Sequence, residues 1–158
     1  MTKWIDDMAA GLSDDQKRKN FEHARQLHDA RVIASQGPAF MDELLAATKD
    51  LVNELTEKVG ATAYLRYDSD VHHGFKVTKM PEPEVFLECQ PTLVAHMLQV
   101  AEGRTDAEGV PQPSQERLIE LAVNDQGHIV AIDGDRRLDD AAALASWLLE
   151  RALAGTIG

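Results

Sequence analysis

The sequence predicts an α+β fold: two N-terminal helices, an antiparallel meander sheet of about five to six strands, and a C-terminal apolar helix packed on the sheet. Three observations support this fold class. The apolar period changes near residue 60 from about 3.6 residues, typical of helices, to about 2, typical of strands. Short turns separate the strand segments, and short turns join antiparallel neighbours. Residues 139–154 are apolar on almost every side, which predicts a helix buried on more than one face.

The first third of the chain is expected to hold an arm and a first helix. Residues 1–12 predict a short, flexible arm that docks its tryptophan. Residues 13–16, of sequence Ser-Asp-Asp-Gln, form a capping box, in which the serine and glutamine side chains satisfy backbone donors at a helix start. The helix is predicted over residues 14–35 and ends at Gly37-Pro38, because proline interrupts the helical hydrogen bonds. Its inner face is expected to comprise six residues: Phe21, Ala24, Leu27, His28, Arg31 and Val32.

A second helix is predicted over residues 39–59, with Gly60 at its end. Mostly apolar side chains recur along it at spacings of three and four, which predicts a broad face against the sheet. They are Phe40, Met41, Leu44, Leu45, Thr48, Leu51, Val52, Leu55 and Val59. Two arrangements fit this pattern. The two helices fold back as a hairpin, or they run nearly collinear with a kink at Gly37-Pro38.

The sheet is predicted from segments in which apolar and polar residues alternate. These segments are residues 61–68, 75–80, 84–90, 118–123 and 128–133. In the third of them, Val85, Leu87 and Cys89 are expected to face the core. Residues 103–115 are polar, acidic and rich in glycine and proline, and they predict a mobile loop.

Residues 92–102 fit two elements. Thr92 is suited to cap a short helix, and the same residues also alternate as a strand that extends the meander. The strand is favoured because Pro91 follows the preceding strand directly. If the segment is helical, the order of elements is similar to that of small acidic secretion chaperones, with no shared motif. That resemblance would imply a chaperone-like role.

The C-terminal helix has Asp139 as its predicted N-cap and Gly155 as its stop. One of its faces, with Leu148 at its centre, suffices to cover the sheet. Apolar residues remain on its other sides, and three of them are interface candidates: Trp147, Leu149 and Leu153. Because large apolar patches are rare on monomers, this surplus predicts self-association, most simply as a homodimer.

Composition limits the classes of partner. The 158 residues form a single domain, 1–158, with a net charge of −11 that resides mostly after residue 60. A nucleic-acid binder needs a basic surface, so nucleic acid is excluded as a partner and a basic protein is favoured. The start lacks the pattern of a signal peptide, and no apolar run is long enough to span a membrane. A cytoplasmic location is therefore expected, with no membrane partner.

Few residues offer chemistry. His72-His73 is the best polar cluster, but adjacent histidines usually point apart, and a metal needs three or four converging ligands. Cys89 would need a base such as His96 to act as a nucleophile, and a buried structural cysteine is the simpler interpretation. These four residues are only weak site candidates. The sequence predicts no catalytic residue, no cofactor and no metal site.

The residues therefore favour a non-catalytic, acidic protein-binding or chaperone-like module that self-associates. An alternative is a small apolar-ligand-binding protein, with a cavity between Phe75, Val77, Phe86 and the helices. A second alternative is an enzyme of no recognised class that uses His72, His73 or Cys89.

Overall fold

One long helix, a seven-stranded sheet and one short helix make up the fold. The computed structural model describes residues 3–69, 73–81, 83–92 and 96–156. Helix α1 (Lys3–Val59) leads through a 3-10 turn (Gly60–Thr62) into the sheet, and helix α2 (Ala141–Leu153) follows the sheet. The strands are β1 (Tyr64–Ser69), β2 (Phe75–Met80), β3 (Val85–Pro91), β4 (Met97–Arg104), β5 (Gln115–Val123), β6 (Ile129–Asp133) and β7 (Arg136–Leu138).

Helix α1 replaces the two predicted N-terminal helices, and the predicted break between them is wrong. The helix has 57 residues and carries Pro38 in its interior. Ile33 and Phe40, on either side of Pro38, are both buried in the same core, so packing holds the helix together across the missing N–H. The predicted capping box is not used either. The helix runs through Ser13, and the side-chain amide of Gln16 donates to Asn20 Oδ1 at 3.0 Å.

The sheet is an antiparallel meander in which each strand pairs with the next, from β1 to β7. It has seven strands, not five to six. The strand that the sequence missed is β7, which has three residues, two of them arginines, and so shows no alternation. The strand interpretation of residues 92–102 is confirmed for residues 97–102, and β4 continues through Arg104 into the first two residues of the predicted loop. Residues 97–102 are therefore not helical, and the helix on which the resemblance to secretion chaperones depended is absent from that described stretch.

The two faces of the sheet differ sharply. The inner face carries the core, with Val77, Leu87 and Ile119 among its fully buried side chains. It is covered by the second half of α1 and by α2. The outer face carries polar ladders instead. In one of them, Asp68, Lys76 and Glu88 lie side by side on β1, β2 and β3, with 3.3 Å between Lys76 Nζ and Glu88 Oε1.

Helix α2 is buried on more than one face, as predicted. Leu144 and Leu148 are fully buried, and Leu149 and Leu153, on another side, are buried as well. The helix packs against the inner face of the sheet on one side and against α1 on another. Its N-cap is Asp140 rather than Asp139, since the Asp140 carboxylate accepts a hydrogen bond from Ala143 N at 2.7 Å.

Candidate functional site

Helix α1 consists of two unlike halves. The packed half, residues 33–59, contributes all the buried residues of the helix: Ile33, Phe40, Leu44, Thr48 and Val52. The free half, residues 3–28, is exposed at every position. Near the junction, the Gln36 amide donates to the carbonyl of Gly127 in the β5–β6 turn at 3.1 Å. At 1.5 Å per residue, the free half extends about 39 Å beyond the packed core.

The free half carries an apolar stripe at its start, which we define as Trp4, Ile5, Met8 and Leu12. These side chains are 60, 49, 58 and 65% exposed. Spacings of one, three and four residues place them on one side of the helix. This is also the side that the packed half buries, because Met8 precedes Leu44 by 36 residues, which is about ten helical turns.

The inner face predicted for the first helix is exposed at five of its six residues, and Val32 is partly buried. Phe21 is 69% exposed and Leu27 is 48% exposed, and both lie away from the apolar stripe on the helix surface. The prediction was wrong because periodic apolar residues define a face without specifying whether another element covers it. Here the buried part of α1 begins only at Ile33.

A cleft of about 580 Å³ lies beside Pro38, where the packed half of α1 begins. Its described lining is mainly apolar: Ile33, Met41, Leu45, Met97, Leu98 and Leu121. Asp42, Ser69 and His73 add polar groups at the wall. This volume is within the range of small-ligand pockets. The cavity predicted between Phe75, Val77 and Phe86 has a different location: Phe75 and Val77 are buried in the core, and Phe86 lies on the outer face over Gly103.

The three interface candidates of α2 are all engaged within their own chain. Leu149 and Leu153 line a groove of about 500 Å³ with Leu51 and Leu55 of α1. Trp147 is half-buried, and its Nε1 donates to Asp133 Oδ2 at 2.8 Å. The apolar surplus that favoured self-association in the sequence is thus largely covered by α1. Whether these residues also contact a second copy stays a prediction.

An ionic network that the sequence analysis missed lies on the inner face of the sheet. Arg117 Nε donates to both oxygens of Asp133, at 3.0 Å each, and Arg117 Nη1 pairs with Glu102. Arg151 of α2 donates to Glu102 Oε1 at 3.2 Å. Two carboxylates thus face two guanidinium groups, so the network is neutral and ties α2 to the sheet. A structural role accounts for it, because each ionised group has an opposite charge beside it.

The weak site candidates do not lie on one surface. Cys89 is completely buried, and this burial raises the pKa of its thiol to about 12 against an opposing effect of Arg117. The thiol is therefore protonated at neutral pH and a poor nucleophile. His73 lines the cleft, whereas His96 is exposed and its carbonyl accepts from Leu121 N at 2.7 Å. His72 lies outside the described residues.

The described residues contain neither a cluster of metal ligands nor a helix that could span a membrane. No group of three or more His, Cys, Asp or Glu residues there is arranged to hold a metal ion. Neither helix in that part of the chain combines the length and the apolar character needed to cross a bilayer.

Comparison with known proteins gave no relative: no family model, no curated protein and no solved structure matches the chain. The candidate surfaces are therefore assigned from their own geometry. They are the apolar stripe on the free half of α1 and the cleft beside Pro38.

Proposed function

We propose that the protein is a non-catalytic protein-binding module that self-associates, and that the free half of α1 is its binding element. The observation that carries this proposal is the exposure of the apolar stripe. Four large apolar side chains stand about half or more exposed on a helix whose first 26 described residues are all exposed. Exposed apolar patches of this kind mark interaction sites. A helix without tertiary packing is also marginal in water, so a partner would stabilise it.

The charges around the stripe indicate the chemistry of its partner. Residues 3–16 contain one basic and four acidic side chains, a net charge of −3. Asp15 lies in line with the stripe about one turn beyond Leu12, and Asp7 lies on the neighbouring side of the helix. An apolar face with acidic flanks fits an apolar groove with a basic rim, in the manner of helix-in-groove recognition.

Site-specific photo-crosslinking tests this proposal. A crosslinking amino acid at Leu12 is expected to capture a second polypeptide when the protein is expressed in its source cell. The same amino acid at Ser13, which is also exposed but lies on another side of the helix, is the matched control and should capture far less. Trp4→Ser with Met8→Ser should remove the adduct at Leu12. Equal capture from both positions, or an adduct that survives the double substitution, would contradict the proposal.

A second candidate function is the binding of a small apolar ligand in the cleft beside Pro38. The observation that favours it is the volume of about 580 Å³ with a mainly apolar lining. Titration with a fluorescent fatty acid should show saturable binding that Met97→Trp abolishes by filling the cleft. Leu55→Trp, in the groove between the helices, is the control and should leave binding unchanged. Binding unaffected by Met97→Trp would reject the cleft as the site.

A further inference from the structure

The free half of α1 divides into an acidic and a basic segment. Residues 3–16 have a net charge of −3, and residues 17–28, with four basic and one acidic side chain, have a net charge of +3. The rest of the chain is acidic, since the total charge is −11. The basic segment therefore lies on a projecting helix, next to an acidic segment of similar length. Two such helices attract when they run antiparallel and repel when they run parallel.

One line along the helix shows this complementarity residue by residue. Eight residues, spaced by three or four positions, lie within about 80° of the helix circumference at 100° per residue. They are Lys3, Asp7, Gly11, Asp14, Arg18, Phe21, Arg25 and Asp29. Seven of them are exposed and Asp29 is partly exposed. We call this line the seam; it lies on a different side of the helix from the apolar stripe.

The seam is symmetric about residue 16. If a second copy lies antiparallel along it, each residue faces one of opposite character. The facing pairs are Lys3 with Asp29, Asp7 with Arg25, Gly11 with Phe21, and Asp14 with Arg18. A two-fold axis repeats each pair, so the contact contains six ion pairs and two contacts between a ring and a glycine. In a parallel pair, each charged residue would face a residue of the same sign.

Gly11 and Arg18 are suited to this contact. Apart from the adjacent residues and the helix's own backbone, no atom of the described residues lies within 4 Å of the position that a side chain at Gly11 would occupy, so a phenylalanine ring of a second helix can approach the backbone there. Glycine destabilises a helix, and close packing of a phenylalanine ring would explain why a glycine occupies position 11. Arg18 Nη2 pairs with Asp15 at 3.1 Å within the helix, but both side chains are more than half exposed. Such exposed pairs contribute little stability, so Arg18 can leave Asp15 and pair with Asp14 of a second copy.

We propose that two copies of this chain associate through the seam, with their free halves antiparallel about residue 16. This inference rests on the proposed binding role of the free half, and it identifies the surface through which two copies associate. A second copy is favoured over nucleic acid or an anionic membrane, because the acidic remainder of the chain would repel either polyanion. The apolar stripe stays free for another protein.

Charge reversal tests the seam. Sedimentation equilibrium of the full chain at low salt should give twice 17.4 kDa for the wild type. Asp7→Arg alone and Arg25→Asp alone each replace two attractive contacts with two repulsive ones, and should raise the dissociation constant by about tenfold or more. The double variant Asp7→Arg/Arg25→Asp restores both contacts at unchanged net charge, and should dimerise like the wild type.

Three results would overturn the seam: a mass of 17.4 kDa for the wild type at every concentration, single variants that dimerise normally, or a double variant that stays monomeric. Thermal unfolding of each variant verifies that the chain is folded. Met8→Ser with Leu12→Ser keeps this test separate from the proposed function, since the stripe is off the seam and the dimer should persist. If that variant dissociates while the charge reversals do not, the seam is wrong and the binding role of the free half stands.

Discussion

The two halves of α1 have the same secondary structure and opposite surroundings. The packed half buries Phe40, Leu44 and Val52 against the sheet and α2, whereas every residue from 3 to 28 is exposed. Within the described residues, the free half is supported only by local contacts, such as the Asp15–Arg18 ion pair and the Gln16–Asn20 hydrogen bond. Contacts of this kind contribute about 0.2–0.5 kcal/mol each. Helical periodicity alone therefore does not distinguish a helix face that is buried in the core from an apolar helix face that is exposed.

The largest predicted difference in the free energy of unfolding is between substitutions of a buried and of an exposed carboxylate. Asp133→Ala leaves Arg117 without its bidentate partner inside the body of the protein. Removing one member of a buried pair costs about 3 to 5 kcal/mol of the free energy of unfolding. Asp15→Ala, in the free half, removes an exposed pair and should cost less than about 0.5 kcal/mol. Urea denaturation of both variants measures the difference. If Asp133→Ala lowers the free energy of unfolding as little as Asp15→Ala does, the network contributes no stability.

The next effect compares two leucines of the same helix. Leu44 is fully buried and Leu12 is 65% exposed. Leu44→Ala should lower the free energy of unfolding by about 2 to 5 kcal/mol, and Leu148→Ala in α2 should fall in the same range. Leu12→Ala should change it by less than about 0.5 kcal/mol when the protein is monomeric. A large cost at Leu12 under those conditions would mean that the free half packs on its own body.

An alkaline titration measures how well the packed region excludes water. Cys89 has a pKa of about 12 in the folded chain and an ordinary value of 9.0. Because the folded state keeps this proton longer, its stabilising effect is complete below pH 9 and is lost as the pH rises towards 12. At pH 10.5 the expected loss is about 2 kcal/mol.

Cys89→Ala is the control for this titration and should show a flatter decline between pH 8 and 10.5. Burial lowers the pKa of Lys79 and raises that of Tyr67, but both residues are present in either protein, so their effects cancel in the difference. Identical slopes for the two proteins would mean that water reaches the thiol.

The smallest effect compares a used and an unused cap. Asp140→Ala should cost about 1 kcal/mol, because its carboxylate accepts from Ala143 N at the start of α2. Ser13→Ala should cost nothing measurable, since the helix passes through that position without a start. Thermal melts are sensitive enough to separate these values. A loss of stability at Ser13 would indicate that the helix begins there in solution.

The strands and their buried faces could largely be predicted from the sequence. Alternation placed Val85, Leu87 and Cys89 on the inner face, and all three are buried. It failed at β7, where two arginines in three residues leave no alternation to detect. The N-terminal helices were misjudged for a different reason. The Gly-Pro pair is a local signal that is overridden by packing of Ile33 and Phe40 on either side of it. The capping box is also a local signal, and the helix passes through it although residues 3–28 are exposed.

The candidate surfaces were harder to foresee. The ionic network left a usable signal, because Arg117 has the parity of Ile119 and Asp133 that of Ile129, which places both charges on the inner face. The apolar stripe left no such signal. Trp4, Met8 and Leu12 have the spacing of a buried face, and only the position of the sheet shows that nothing in the described chain covers them.

A continuous helix also transmits rotation. Since α1 is unbroken, the direction in which Trp4 and Met8 point is fixed relative to the sheet by the number of residues between them. One residue inserted near position 30 would turn the stripe by about 100° and move it outward by only about 1.5 Å. Seven inserted residues would move it outward by about 10 Å and nearly restore its original direction. The helix thus fixes the rotational position of the stripe relative to the body. For a partner that contacts both, a one-residue insertion would disrupt binding mainly by rotating the stripe, and much less by lengthening the helix.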